Sequence, residues 1–461
     1  MKYEHIRQVY LLGIGGIGMS ALARYFHALG KEVSGYDKTR TPLTDELVAE
    51  NISIHFDENP GFLEAKGLSP ETSLIIYTPA VPKTHQEYEY FLKNGFAIKK
   101  RSEVLGIITE NSFTIAVAGT HGKTTTSSLI AHILRSSGID CSAFLGGITQ
   151  NYQTNLFIGK NLGKKDAITV VEADEYDRSF LSLHPDIAVV TSIDADHLDI
   201  YGDKEHMHES YNLFARQVKK GGTLIAKKGT ENIQVGVDAQ VISYSLKEAD
   251  SVHADGIAIS NGYYHYNVAG STFRIANLIL GLPGSHNVEN SVAAVVVARI
   301  IGVKEEQIRE ALSSFKGVKR RFEYQIRKDN LIYIDDYAHH PEELKACIRS
   351  VRELYPNKKL TGVFQPHLYT RTRDFADGFG ESLSMLDEVI LLDIYPAREM
   401  PIAGVSSQML LDRIACKNKK LCTKQELVAE LCSRKLEVLL TVGAGDIDML
   451  VEPIKNALLA N

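Results

Sequence analysis

From Phe113 to Ala118 the chain is apolar and β-rich, and it passes without a break into Gly119-Thr120-His121-Gly122-Lys123-Thr124-Thr125 and a helical stretch to Ser137. A strand, a glycine-rich loop and a helix in that order make a phosphate cradle. The loop N–H groups face the anion, the helix contributes its positive end, and the missing side chains allow close approach. Two residues separate the glycines where the general P-loop has four, so this is a shortened variant. Lys123 is placed for the β- and γ-phosphates, and the Thr124 hydroxyl for Mg2+. This unit belongs in a parallel α/β sheet, which sets the class of the middle of the chain.

A second glycine loop stands near the start. The run Val9 to Ile14 enters Gly13-Ile14-Gly15-Gly16-Ile17-Gly18, a helix follows to Leu29, then a strand from Glu32 to Tyr36 and Asp37. Gly13, Gly15 and Gly18 satisfy G-x-G-x-x-G, with an acid about 20 residues on. That geometry serves NAD or any other diphosphate nucleotide, a UDP-sugar included. Further runs, Leu74 to Thr78 and one ending near Lys99, precede Arg101-Ser102-Glu103, and a first boundary is expected at Glu103.

In the second segment, strands Ile168 to Val171 and Ile187 to Thr191 each end at acidic residues. Glu172 stands where a parallel sheet brings it beside the P-loop, and a carboxylate is the hard ligand that magnesium requires. His197, in Asp194-Ala195-Asp196-His197-Leu198-Asp199, is a candidate for a second metal. Hairpins are expected between Val252 and Ile275, around Asn261-Gly262. Helices follow from His286 to Ile301 and from Lys304 to Phe315, and the basic link Lys316 to Arg321 marks the next boundary.

A third α/β segment gathers polar groups at strand ends: Asp335 to His340, Gln365-Pro366-His367 with Arg371 and Arg373, which need not point the same way if their loop is extended, Asp393 with Arg398, and Gly443 to Asp446. Open α/β sheets bind ligands at this edge. The expected division is 1–103, 104–319 and 320–461. With 461 residues and a formal charge of −6, the chain has room for three domains and lacks the basic field of a nucleic-acid binder. Five cysteines without a Cys-x-x-Cys pair, no signal-peptide pattern and no long apolar run predict a soluble, cytoplasmic protein without membrane insertion.

GIGGIGMS, GTHGKTTT, VEADEYDRSF, DADHLD, GSHNVEN, KRRFE, DDYAHHP and QPHLYTRTRD, in this order over nearly the whole chain, resemble the Mur ligases of bacterial peptidoglycan synthesis. The resemblance implies a Rossmann-like N-terminal domain for a UDP-sugar, a central P-loop ATPase-type α/β domain with a small antiparallel part, and a Rossmann-like C-terminal domain for ATP and an amino acid. The activity it implies is ADP-forming: the lactyl carboxylate of UDP-N-acetylmuramate attacks the γ-phosphate of ATP, and the amine of L-alanine attacks the resulting acyl phosphate. ATP is then a cosubstrate, two Mg2+ sites are implied, and the oligomeric state is monomer or homodimer.

By position, the resemblance gives Gly15, Gly16, Gly18, Met19, Ser20 and Asp37 to the UDP-sugar. Gly119, Thr120, His121, Gly122, Lys123, Thr124 and Thr125 go to the triphosphate, and Asn287 and Asn290 to the adenine side. Thr124 and Glu172 hold the first magnesium and His197 joins the second. Arg321 and Asp336 reach the nucleotide from the third domain, while Tyr337, His339 and Arg371 handle the amino acid. His197, His339 or a metal-bound water is the base for the amine. Two positions depart from relatives: Tyr211 lies where some ligases carry a modified lysine, and Leu368 replaces an arginine common among L-alanine ligases, shifting that weight to Arg371 or Arg373.

An NAD-dependent oxidoreductase would explain only the first loop, and a P-loop conformational switch only the second. Within the ligases, the nearest rival adds a tripeptide to the same UDP-sugar.

Overall fold

The structure is a computed structural model that describes residues 5–58, 60–194, 201, 203–234, 236–247, 251–397 and 399–460. It contains three α/β sheets. The first comprises β1 (Gln8–Leu12), β2 (Glu32–Tyr36), β3 (Ser53–His55), β4 (Ser73–Tyr77) and β5 (Ala97–Lys100), all parallel, in the order β3-β2-β1-β4-β5. Strand order reverses between β1 and β4, and the register Leu12↔Tyr77 sets the Gly13 loop beside Thr78. That switch point opens a crevice at the carboxyl edge.

The second sheet is built on β6 (Phe113–Ala118), β7 (Cys141–Thr149), β8 (Thr154–Phe157), β9 (Ile168–Glu172), β10 (Ile187–Val190), β11 (Thr223–Lys227) and β12 (Gln240–Ser245), in the order β12-β11-β10-β6-β9-β7-β8. Only β7 and β8 in this set pair antiparallel. The registers Val117↔Glu172 and Ala118↔Val190 put the ends of β9 and β10 on either side of the loop that follows β6. β13 (Val252–Ser260), β14 (Tyr263–Gly270) and β15 (Phe273–Leu280) continue past β12. Asn261 and Gly262, both at positive φ, make the two-residue turn between β13 and β14.

The third sheet holds β16 (Glu323–Lys328), β17 (Leu331–Asp336), β18 (Leu360–Phe364), β19 (Glu388–Leu391), β20 (Asn418–Leu421) and β21 (Val438–Val442) in the order β16-β17-β21-β18-β19-β20. Its edge strand β16 is antiparallel and the others are parallel. Val442 faces both Asp336 and Phe364 in register, so the segments after β17, β18 and β21 start side by side.

By compactness the chain forms two units, 1–255 with 267–278 and 289–315, and 256–266 with 279–288 and 316–461. The first unit joins two α/β layers because they share apolar interior. Met19, Leu22, Tyr25 and Phe26 of the Ile17–Ala28 helix, Val104 and Leu105 of the Arg101–Glu110 helix, and Ala116, Phe144 and Val190 belong to one buried cluster. Glu103 lies in the first turn of a continuous helix whose next two residues enter this core. No helix among the described residues is long and apolar enough to cross a membrane.

Candidate active site

Within the first unit, one cavity of about 820 Å³ runs from the first glycine loop to the end of β9. Gly15, Gly16, Gly18, Met19 and Asp37 line it together with Glu172. Asp37 accepts the Gly15 N–H through Oδ2 at 2.7 Å, and a Cβ at position 15 would stand 2.8 Å from that oxygen, so a larger residue would have to displace the Asp37 carboxylate. Ser20 is turned away: its hydroxyl donates to the Ile17 carbonyl at 2.9 Å inside the helix. Tyr36, Lys38, Glu58 and His85 line the other end of the cavity, and sequence reasoning had singled out none of them.

The second loop turns on Gly119 (φ 138°) and Gly122 (φ 84°), conformations that glycine adopts without strain. A Cβ on Gly119 would collide with Thr191 Oγ1, and one on Gly122 would stand 2.7 Å from Asn290 Oδ1. The loop is also tied to the end of β10, because Ser192 Oγ accepts the His121 N–H at 2.9 Å and meets Thr120 Oγ1 at 2.8 Å. Thr125 is buried at the start of the Lys123–Ser136 helix.

Lys123 Nζ donates to the Gly119 carbonyl at 2.6 Å and to Glu175 Oε1 at 2.8 Å. Burial works against its charge, but Glu175 and then Glu172 outweigh it and hold the ammonium above the usual lysine pKa. Thr124 Oγ1 donates to Glu172 Oε1 at 3.0 Å, while Glu172 Oε2 accepts the Gly146 N–H at 2.9 Å. A hydroxyl beside a carboxylate is the hard-oxygen donor pair that suits Mg2+ completed by waters and phosphate oxygens. No cluster of three or more His, Cys, Asp or Glu stands ready to hold a metal among the described residues. His197 lies outside the described residues, as does Arg398.

Tyr211 is a core residue of the Lys204–Arg216 helix, edge-on to Phe180 with ring centroids 5.2 Å apart. Asn290 stands against the P-loop in the first unit, whereas Asn287 belongs to the second and donates its amide to the Pro283 carbonyl at 2.5 Å.

The second unit collects its candidates at the carboxyl ends of β17, β21 and β18. Asp336 accepts the N–H groups of Phe322 and Ala338, each at 2.7 Å, and burial pushes its carboxyl up to about 6 against the pull of Arg321. The Arg321 guanidinium lies 5.1 Å from the centre of the Tyr337 ring and 3.8 Å from Glu343. His339 Nδ1 contacts the Tyr337 carbonyl at 3.0 Å and Glu343 at 3.3 Å. Burial, reinforced by Arg371 and Arg321 against the opposing Glu343, holds the imidazole down at about 4, so it is neutral at physiological pH.

Around Arg371 the chain is not extended but forms a helix, Tyr369–Asp374, because Leu368 adopts φ 66° and its carbonyl accepts both the N–H and the hydroxyl of Thr372. Arg373 is spent on Asp374 at 2.6 Å, whereas the charge of Arg371 acts on His339.

Sequence reasoning passed over Arg101 and Gly146 of the first unit and read Asp174 as part of a solvated acidic turn. Arg101 and Asp174 line the cavity and pair at 3.2 Å, and Gly146 is so close to Glu172 that a Cβ would collide with its carboxylate. Arg101 follows directly on β5, a strand-end position of the kind that flagged Glu172. Nothing in the sequence around Gly146 signals its contact.

Three family models match in succession: the Mur ligase family catalytic domain over residues 8–113, the Mur ligase middle domain over 117–298, and the Mur ligase glutamate ligase domain over 320–445. A UDP-N-acetylmuramate–L-alanine ligase of Flavobacterium psychrophilum is 52% identical over 462 residues, covering 99% of each chain. One from Parabacteroides distasonis is 50% identical over 461 residues, 99% of this chain and 98% of that protein. The crystal structure of a UDP-N-acetylmuramate-alanine ligase from Thermotoga maritima superposes with a TM-score of 0.80 at 26% identity, covering 98% of this chain and 99% of that one. With both phosphate loops in strand–loop–helix form and half-identical relatives matched end to end, the chain belongs to the Mur ligase family.

Proposed function

We propose that this chain is an ADP-forming ligase joining L-alanine to the lactyl carboxylate of UDP-N-acetylmuramate, in cytoplasmic peptidoglycan precursor synthesis. The observation that carries the reading is the single cavity shared by the Gly15–Gly18 loop and Glu172, itself bonded to Thr124 of the P-loop helix. A diphosphate nucleotide on the first loop thereby has its far end delivered to the metal-ligand position of the second. An oxidoreductase has no use for that connection.

The chemistry follows from charge. A carboxylate is a poor acyl donor, so its oxygen attacks the γ-phosphate and ADP leaves. Lys123 leaves Glu175 for the β- and γ-phosphates, the loop N–H groups cradle them, and Asn290 and Asn287 serve the adenine side. Thr124 and Glu172 would hold the first Mg2+, which when bound neutralises charge on the phosphates. His197 is assigned to a second. The amine of alanine then attacks the acyl phosphate, expelling inorganic phosphate and leaving the amide.

On the third segment, Arg321 and Asp336 serve the nucleotide, Arg371 binds the alanine carboxylate, and Tyr337 and His339 line the amino-acid site. A neutral His339 offers a lone pair to the alanine ammonium, although an imidazole held at about 4 is a weak base, which favours His197 for the proton; Mg2+ held by Thr124 and Glu172 would, when bound, lower the pKa of water beside it. We divide the chain at 1–103, 104–319 and 320–461, with no nucleic-acid or membrane partner and a monomeric or dimeric state.

Bound ligand stabilises by mass action, which gives a direct test. UDP-N-acetylmuramate and ATP should each raise the melting temperature separately, and NADH should not. Stabilisation by NADH alone would overturn the reading.

A further inference from the structure

Arg101 occupies the passage between the two loops. Its stem lies on the first loop, since a Cβ on Gly18 would stand 2.8 Å from Nη1 and 3.1 Å from Cδ, and its Nη2 reaches Asp174 Oδ2 at 3.2 Å. Asp174 is two residues beyond Glu172, and all three residues line the cavity. The other lysine or arginine on the cavity wall, Lys38, stands next to Asp37, at the opposite end from Glu172.

Phosphoryl transfer to a carboxylate drives one anion into another. Glu172 and Asp174 make the acyl end of the cavity acidic, and Lys123 is committed to the triphosphate, so the attacking carboxylate needs a cation of its own. A guanidinium is the side chain whose fork fits a carboxylate. The Asp174 side chain is 44% exposed and makes a single contact with Arg101, an ion pair of the kind that exchanges at little cost. A carboxylate, that of Asp174, already sits on Arg101.

We propose that Arg101 binds the lactyl carboxylate of the sugar nucleotide and that Asp174 holds its place until substrate arrives. The inference rests on the ligase reading and adds a substrate-binding residue to it. UDP-N-acetylglucosamine, which lacks the lactyl group, separates this role from a contact to the diphosphate.

The test is calorimetric binding of UDP-N-acetylmuramate, UDP-N-acetylglucosamine and UDP, without ATP or magnesium, to the full chain and to R101Q and D174N. Loss of a charged hydrogen bond should weaken UDP-N-acetylmuramate binding to R101Q by roughly 10- to 150-fold, leaving the other two ligands unchanged. D174N, with Arg101 released, should bind UDP-N-acetylmuramate more tightly and UDP-N-acetylglucosamine as before. Equal weakening toward all three ligands in a folded R101Q, or no change toward any, would overturn the proposal. If R101Q does not fold, D174N decides: tightening supports the exchange, and no change or weakening refutes it. Equal affinity of the unsubstituted chain for UDP-N-acetylglucosamine and UDP-N-acetylmuramate would also overturn the proposal, whereas a chain that binds neither UDP-sugar nor UDP would bring down the ligase reading itself.

Discussion

Lys123 Nζ lies 2.8 Å from Glu175 Oε1 while donating to the carbonyl oxygens of Gly119 and Thr120, so the lysine that should meet the triphosphate is held inside its own loop. Glu175 is only 2% exposed, and the Tyr201 hydroxyl donates to its carbonyl at 2.6 Å. The pair keeps a buried ammonium charged within the P-loop.

This pairing makes Lys123→Ala a compound variant. Turnover should fall on the order of 10²-fold or more, from lost stabilisation of the transferring phosphoryl group. Stability should fall by ~3–5 kcal/mol, because Glu175 is left buried without its cation. Adding Glu175→Gln should restore the urea midpoint but not the rate. Recovery of both in the double variant would show that Lys123 is structural.

Glu172 should govern the magnesium requirement. Glu172→Gln removes a charge from the ligand pair with Thr124, and Gly146→Ala should act alike by pushing the carboxylate aside. In both variants the magnesium concentration for half-maximal rate should rise several-fold. An unchanged titration in Glu172→Gln would remove Glu172 from the metal site.

Arg371→Ala should raise the alanine KM by roughly 10- to 150-fold, with a much smaller change for ATP, since a charged hydrogen bond is worth ~1.5–3 kcal/mol. Arg373→Ala should change little, because its guanidinium is already on Asp374 at the surface. Steady-state kinetics with each substrate varied in turn decides between them.

His339 should leave a mark on the pH dependence of stability. Folding lowers its pKa from the ordinary histidine value to about 4, so the folded chain binds this proton less readily than the unfolded chain. The stabilisation is therefore complete above ~6.5 and is lost as pH falls toward 4, a difference on the order of 3 kcal/mol. Asp336, raised to about 6, acts in the opposite sense over much of that window, losing its contribution as pH rises. Urea denaturation at pH 4.5 and 7 should show His339→Asn less acid-sensitive than the unsubstituted chain, and equal sensitivity would count against the buried neutral imidazole.

The parts of the site that sequence disclosed are those where one short segment carries the whole device. Gly119 to Thr125 contains its own strand exit, loop and helix start, and Glu172 could be placed because a strand end in a parallel sheet has few destinations. Contacts between distant segments were hidden: Arg101 and Asp174 are 73 residues apart, and Gly146 is 26 from Glu172. The polar edge strand β20 lacks the alternation that marks a half-buried strand, since sheet pairing and not local pattern makes it a strand. The Tyr369–Asp374 helix has only six residues, too few to display a period, and its start depends on the backbone of Leu368.

The central claim is the identity of the bond formed. Purified protein with ATP, magnesium and UDP-N-acetylmuramate should release ADP, not AMP, when L-alanine is supplied, and mass spectrometry should find the UDP-sugar heavier by one alanine less one water. A preference for a tripeptide over L-alanine as the acceptor amine, or pyrophosphate as the main product, would contradict the account.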